Sequence, residues 1–169
     1  MHLNYSEGEL KMGIDFNADE VFEIAEQIER NGANFYRSVA KNIVNEEKRK
    51  LFINLAEMED EHEQTFKTLR SQLSEDDKIV TTFDPNGDTE NYLRALADTR
   101  VFYGKELNTT SLEEILKSAI TAEKDSIVFY IGMKEVVPVH IGKQKLDDII
   151  KEEMSHIRLL SSELLSLKK

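Results

Sequence analysis

Apolar residues recur at helical spacing in four stretches of the chain. Val21, Ala25, Ile28, Gly32, Tyr36 and Val39 mark the first, and Phe52, Leu55, Phe66 and Leu69 the second. Leu112, Leu116, Ala119, Ile127 and Tyr130 mark the third, and Leu146, Ile149, Ile157 and Leu160 the fourth. Spacings of three and four set an apolar stripe along one side of an α-helix, and the stripe turns toward the core. Asn17 with Glu20, and Ser111 with Glu114, have capping-box spacing and open the first and third helices. Pro138 ends the third. The pattern predicts helices over about 17–41, 45–73, 111–137 and 142–166. Only a few residues join the first two, so these form an antiparallel hairpin. Residues 74–110 are too long for a hairpin turn. They carry turn chemistry at 74–77 and 84–88 and a short helical pattern over 89–103. The expected fold is all-α: a four-helix bundle of two helical hairpins joined by a long crossover. It forms one domain over 17–169, preceded by an unpatterned tail over 1–16.

Polar residues interrupt the stripes at matched places. With Glu59 as origin, Leu55, Phe52, His62, Phe66 and Leu69 lie within roughly 80° of it at about 100° per residue. Glu57, Asp60 and Glu61 lie on the other side. Glu59 and His62 are therefore predicted to face the core. A shift of 94 residues carries Glu29 onto Glu123, Tyr36 onto Tyr130, Glu59 onto Glu153 and His62 onto His156. The apolar frame follows: Ala25 falls on Ala119, Phe35 on Phe129, Leu55 on Ile149 and Phe66 on Leu160. Helix 1 thus repeats as helix 3 and helix 2 as helix 4, each with its acidic residue inside the apolar stripe. The small residues Ala25, Gly32 and Ala33 leave room beside Glu29.

Composition narrows the chemistry. With 40% hydrophobic and 33% charged residues among 169, the chain suits a globular domain rather than disorder. The absence of cysteine excludes disulfides, thiol catalysis and iron–sulfur or rubredoxin-type sites. A net charge of −11 argues against nucleic acid and anionic membranes as partners. No apolar run approaches the roughly 20 residues of a membrane span, and 1–16 lacks a signal-peptide core. A cytoplasmic protein is expected.

A buried carboxylate is costly unless it is paired or bound to a metal. Four in one core raise one another's pKa. Two divalent cations would cancel their charge, with neutral His62 on one and His156 on the other. Glu59 and Glu153 could bridge the pair, while Glu29 and Glu123 each bind one ion terminally. A mixed nitrogen and oxygen set without thiolate suits iron or manganese and leaves positions open for oxygen species. The plainer alternative is six surface or ion-paired residues. His140, in a loop, and His2, in the tail, have no place in the repeat. Met58, Met133 and Met154 are expected to be packing residues, Glu163 a helix-end side chain reaching solvent, and the acidic runs 57–63 and 75–77 solvated faces.

One Glu from each of two helices plus Glu-x-x-His from each of the other two is the ligand plan of ferritin-like dinuclear carboxylate bundles. The chain resembles that superfamily over roughly 17–166, and its rubrerythrin branch most. The runs ERNGANFY (29–36) and EKDSIVFY (123–130) resemble that branch's Glu-x6-Tyr signature. The resemblance implies that Tyr36 and Tyr130 hydrogen-bond to ligand carboxylates; as plain core aromatics they would need only some partner for the hydroxyl. It also implies two iron ions, with manganese as the other candidate. Three departures stand out. Rubrerythrins carry a further Glu one turn after the helix 3 ligand, where this chain has Ser126. Bacterioferritins place a haem-binding Met directly after the helix 2 Glu, where this chain has Asp60, so no haem is expected. With no cysteine, the rubredoxin domain of full rubrerythrins is not expected in this chain, and an electron donor, if needed, is expected to be another protein. The leading expectation is a non-haem dinuclear iron oxidoreductase acting on peroxide or dioxygen. Alternatives are a ferroxidase or iron-handling protein, and a metal-binding bundle with an interaction or sensing role. Ferritin-like bundles often pair, so a homodimer is expected by analogy.

Overall fold

A computed structural model describes residues 17–79, 88, 91 and 111–168. Among these, four long helices carry the fold: α1 (Ala18–Lys41), α2 (Glu46–Ser71), α3 (Leu112–Val136) and α4 (Lys143–Ser166). A short 3₁₀ turn, Val139–Ile141, precedes α4. Both predicted capping boxes form. The Asn17 side chain accepts from the Glu20 amide while Glu20 accepts from the Asn17 amide, and Ser111 and Glu114 do the same. Each satisfies two of the orphan donors at a helix start. Asn45 caps α2 by accepting from the Lys48 amide.

The helix over 45–73 was expected to run two residues further than it does. Ser74 and Asp77 explain the earlier end. The Ser74 amide donates to Asp77 Oδ2 at 2.9 Å and the Asp77 amide to Ser74 Oγ at 3.2 Å, closing a turn that competes with the helix. The tail over 1–16 and the short helix expected over 89–103 lie outside the described residues, except that Asp88 and Asn91 are helical.

The helices pack as two hairpins, α1 with α2 and α3 with α4, and the apolar core falls into two layers. One contains Phe22, Phe66, Tyr130, Met133, Leu146 and Ile149. The other contains Tyr36, Phe52, Leu55, Leu116, Ala119 and Leu160. The first draws on the start of α1, the end of α2, the end of α3 and the start of α4; the second draws on the opposite ends. Each hairpin is therefore antiparallel, whereas α3 runs parallel to α2. That reversal needs a connection as long as the bundle, which the 40 residues between Ser71 and Leu112 supply. Between the layers, every helix presents its interrupting polar residues.

Two polar networks refine the predicted faces. Glu63, expected on a solvated face, is buried and takes Arg30 Nε at 3.0 Å and Lys67 Nζ at 2.7 Å. It sits about 40° from Glu59 on the helical wheel, inside the stripe. Glu26 is buried likewise, with Arg70 Nη1 at 3.5 Å. Glu163 does not reach freely into solvent: Lys48 at the start of α2 pairs with it. Met133 is buried as expected, but Met154 is 54% exposed, because at about 100° from Glu153 it falls outside the stripe marked by Leu146, Ile149, His156 and Leu160. His140 is exposed and lies 3.3 Å from Asp77.

Candidate metal centre

Glu29, Glu59, His62, Glu123, Glu153 and His156 come together between the two apolar layers, and none is more than 3% exposed. Each helix supplies its share because the repeat places one carboxylate mid-stripe in α1 and α3, and a Glu-x-x-His pair mid-stripe in α2 and α4.

The imidazoles organise the geometry. His62 Nδ1 stands 2.9 Å from Glu153 Oε1, 3.3 Å from Glu29 Oε2 and 3.9 Å from Glu59 Oε2. His156 Nδ1 stands 3.1 Å from Glu153 Oε2, 3.3 Å from Glu59 Oε1 and 3.7 Å from Glu123 Oε1. Glu59 and Glu153 thus turn one oxygen toward each histidine, whereas Glu29 and Glu123 each serve one. The two rings stack with centroids 5.6 Å apart. Two quartets result, Glu29–Glu59–His62–Glu153 and Glu59–Glu123–Glu153–His156. Within each, the candidate ligand atoms lie within 4.8 Å of one another.

These close approaches are not aligned hydrogen bonds. Glu29 Oε2, Glu59 Oε1, both Glu153 oxygens and both Nδ1 atoms are buried without a hydrogen-bond partner among the described residues. Orphaned lone pairs in a dry interior are costly, and so many converging on one volume fit a cation-binding role. Space is kept as well: a Cβ at Gly32 would lie 3.3 Å from Glu59 Cδ, crowding the carboxylate. The donor set, four carboxylates and two imidazoles in two overlapping groups, fits a pair of divalent ions.

Without cations, protons carry the compensation. Burial raises Glu59 and Glu123 well above the usual carboxyl range, and the charge of Glu153 adds to it. Burial pushes Glu153 the same way, but His156 and His62 beside it overcome this and hold it low. Burial pulls both imidazoles down, yet the flanking carboxylates win. His62 rises to about 12, driven by Glu153 and Glu29, and His156 to about 9, driven by Glu123 and Glu153.

The tyrosines act crosswise between hairpins. Tyr36 of α1 donates its hydroxyl to Glu123 of α3, and Tyr130 of α3 donates to Glu29 of α1. Burial and the neighbouring carboxylates raise both phenols, keeping the proton on the donor. Ser126, where rubrerythrins have a further Glu, is buried and donates to the Ala122 carbonyl at 3.1 Å. Asp60 points outward and pairs with Arg37. Beyond the six expected residues, one contact was not foreseen: Glu152 Oε2 lies 2.7 Å from His62 Nε2. Its sequence signal is only adjacency to Glu153, which periodicity reads as a solvent position.

No match was found among curated proteins. Among solved structures, the chain is similar to a Thermotoga maritima protein described as a ferritin-like diiron-carboxylate protein. The two share 26% identity with a TM-score of 0.65, over 86% of this chain and 93% of that one. No helix among the described residues is long and apolar enough to cross a membrane. The family model for rubrerythrin matches residues 20–164, which span all four helices and the whole carboxylate–histidine cluster, and the chain belongs to the rubrerythrin family.

Proposed function

We propose that the chain is a non-haem dinuclear iron oxidoreductase that reduces peroxide or dioxygen. The observation that carries this reading is the sharing of Glu59 and Glu153 between two buried quartets, each completed by one histidine and one further carboxylate. Glu29 and His62 would hold one ion, Glu123 and His156 the other, and Glu59 and Glu153 both. Bound as a pair, iron would supply two electrons, one from each ion, to an oxygen substrate at open coordination positions.

The protein's own share follows from its residues. The six side chains are fixed by the two apolar layers above and below them, so the cluster is organised by the fold. Tyr130 holds Glu29 by Oε1 and leaves Oε2 facing His62, whereas Tyr36 holds Glu123 by Oε1, the same oxygen that faces His156. The buried phenols stay protonated, which makes them donors at fixed atoms. No general acid or base separate from the cluster is required: a carboxylate of the cluster itself would be the group to take up a proton.

Ser126 favours a second reading, a ferroxidase in which iron is itself the substrate. Its hydroxyl is committed to the Ala122 carbonyl and offers no extra carboxylate. A metal-binding interaction or sensing bundle is the reading of a different class. A separate electron-donor protein, a cytoplasmic setting and pairing of two copies belong to the first reading as proposals.

Elemental analysis of the natively purified protein separates the classes, with two irons per chain expected. Peroxide turnover with a reductant, against net iron oxidation and mineral growth, separates the first two readings. The variant Glu59→Ala with Glu153→Ala removes both shared carboxylates, and two-ion binding should be abolished. Retention of two ions by this double variant would overturn the ligand assignment.

A further inference from the structure

The repeat makes the centre nearly symmetric, but the residues around it are not. On the outer side of His62, Nε2 faces Glu152 Oε2 at 2.7 Å. On the outer side of His156, Nε2 is buried and has no hydrogen-bond partner among the described residues. The 94-residue shift that pairs the two histidines pairs Glu152 with Met58. A thioether is at best a weak acceptor and carries no charge. Among the described residues, one imidazole therefore has a carboxylate behind it and the other does not.

We propose that Glu152 is a positioning residue that makes the two halves of the centre unequal, so that the Glu29–His62 half binds its cation more tightly and fills first. The inference rests on the dinuclear reading above and deepens it. The reasoning runs through the ring of His62. A carboxylate accepting from Nε2–H fixes the proton on that nitrogen. The lone pair is then on Nδ1, which faces Glu29, Glu59 and Glu153. The same contact holds the ring plane and makes Nδ1 a stronger donor to a cation. Among the described residues, nothing comparable fixes which nitrogen of His156 carries its proton.

Glu152 is suited to such a role by its location. Its side chain is 54% exposed while its tip reaches a histidine that is 2% exposed. It also lines a cavity of about 400 Å³ between α2 and α4, together with His62, Glu61, Asp148, Lys145 and Lys151. The half of the centre that Glu152 supports is thus the half bordering this recess.

The test is a titration of the metal-free full chain with Mn²⁺ alone, followed by calorimetry and electron paramagnetic resonance. The unaltered protein should bind in two resolved steps. The first should give the signal of an isolated Mn²⁺, and the second that of a spin-coupled pair. Glu152→Ala, at a partly exposed position, should leave the thermal unfolding of the metal-free chain nearly unchanged. It should weaken the first step by about 10–100-fold, the usual cost of losing an outer hydrogen-bond partner, and merge the two steps. Glu152→Gln, which keeps a carbonyl acceptor but loses the charge, should fall between. Two ions bound with equal affinity by the unaltered protein, or two steps unmoved in Glu152→Ala, would overturn this inference alone. Fewer than two ions bound by the unaltered protein would overturn the dinuclear reading and this inference with it.

Discussion

At the residue scale, the centre is defined by groups that lack partners and by others that have one specific partner. Glu29 and Glu123 each have one oxygen anchored by a tyrosine of the opposite hairpin. Tyr130→Phe should therefore leave a buried carboxylate oxygen without its donor. The expected loss is about 1.5–3 kcal/mol of stability, as for a hydrogen bond to a charged group. Urea unfolding of the metal-free variant measures it, and a loss below the experimental error would show that Tyr130 does not hold Glu29. The same scale shows where one-dimensional reading fails. Glu63 and Glu26 stand within the apolar stripes, as Glu59 and Glu29 do, yet meet Arg30, Lys67 and Arg70 rather than the cluster. Angle on a helical wheel tells that a carboxylate is inward. It does not tell whether a cation side chain on a neighbouring helix is waiting for it.

At the element scale, two helical hairpins are set by their caps and short links, and their second link has a special requirement. Gly142 ends the 3₁₀ turn and opens α4 with φ +129°, a conformation that side chains disfavour. A Cβ there would also come within 2.9 Å of Leu69 Cδ2 on α2. Gly142→Ala should destabilise the protein by about 1–3 kcal/mol, the usual cost of such a backbone position. A thermal melt reads this as a lowered midpoint, and an unchanged midpoint would mean that α4 can begin in another conformation. Met154 carries a related lesson. It was expected to be a packing residue, but it stands about 100° from Glu153 on the helical wheel, outside the stripe marked by Leu146, Ile149, His156 and Leu160.

At the scale of the whole molecule, the interior trades protons against cations. In the metal-free chain His156 titrates near 9 rather than at its usual 6.5, and Glu59 and Glu123 are also raised. The folded chain then binds more protons than the unfolded chain between pH 6.5 and about 9. Stability contributed by His156 is complete below 6.5 and is lost as pH rises through about 9. The melting temperature of the metal-free protein should accordingly fall across that window. Addition of Mn²⁺ or Fe²⁺ should raise it and flatten the slope, because bound ions replace the protons and favour the folded state. Melting curves at several pH values, with and without metal, check both statements; a metal-free curve that is flat from pH 6.5 to 9 would contradict the proton compensation.

The sequence by itself determined the helices, their capping boxes, the two-hairpin plan and the inward direction of the six repeated carboxylate and histidine residues. These depend on local periodicity and on a repeat that any single chain displays. Tertiary structure alone decided which oxygen faces which histidine, that Tyr36 and Tyr130 reach across to the opposite hairpin, and that Glu152 stands behind His62 while His156 Nε2 has no hydrogen-bond partner among the described residues. The physical reason is that a helical wheel fixes the direction of a side chain about its own axis. Distance and partner depend on how four axes are set against one another, and that is settled by the two apolar layers packing above and below the polar centre.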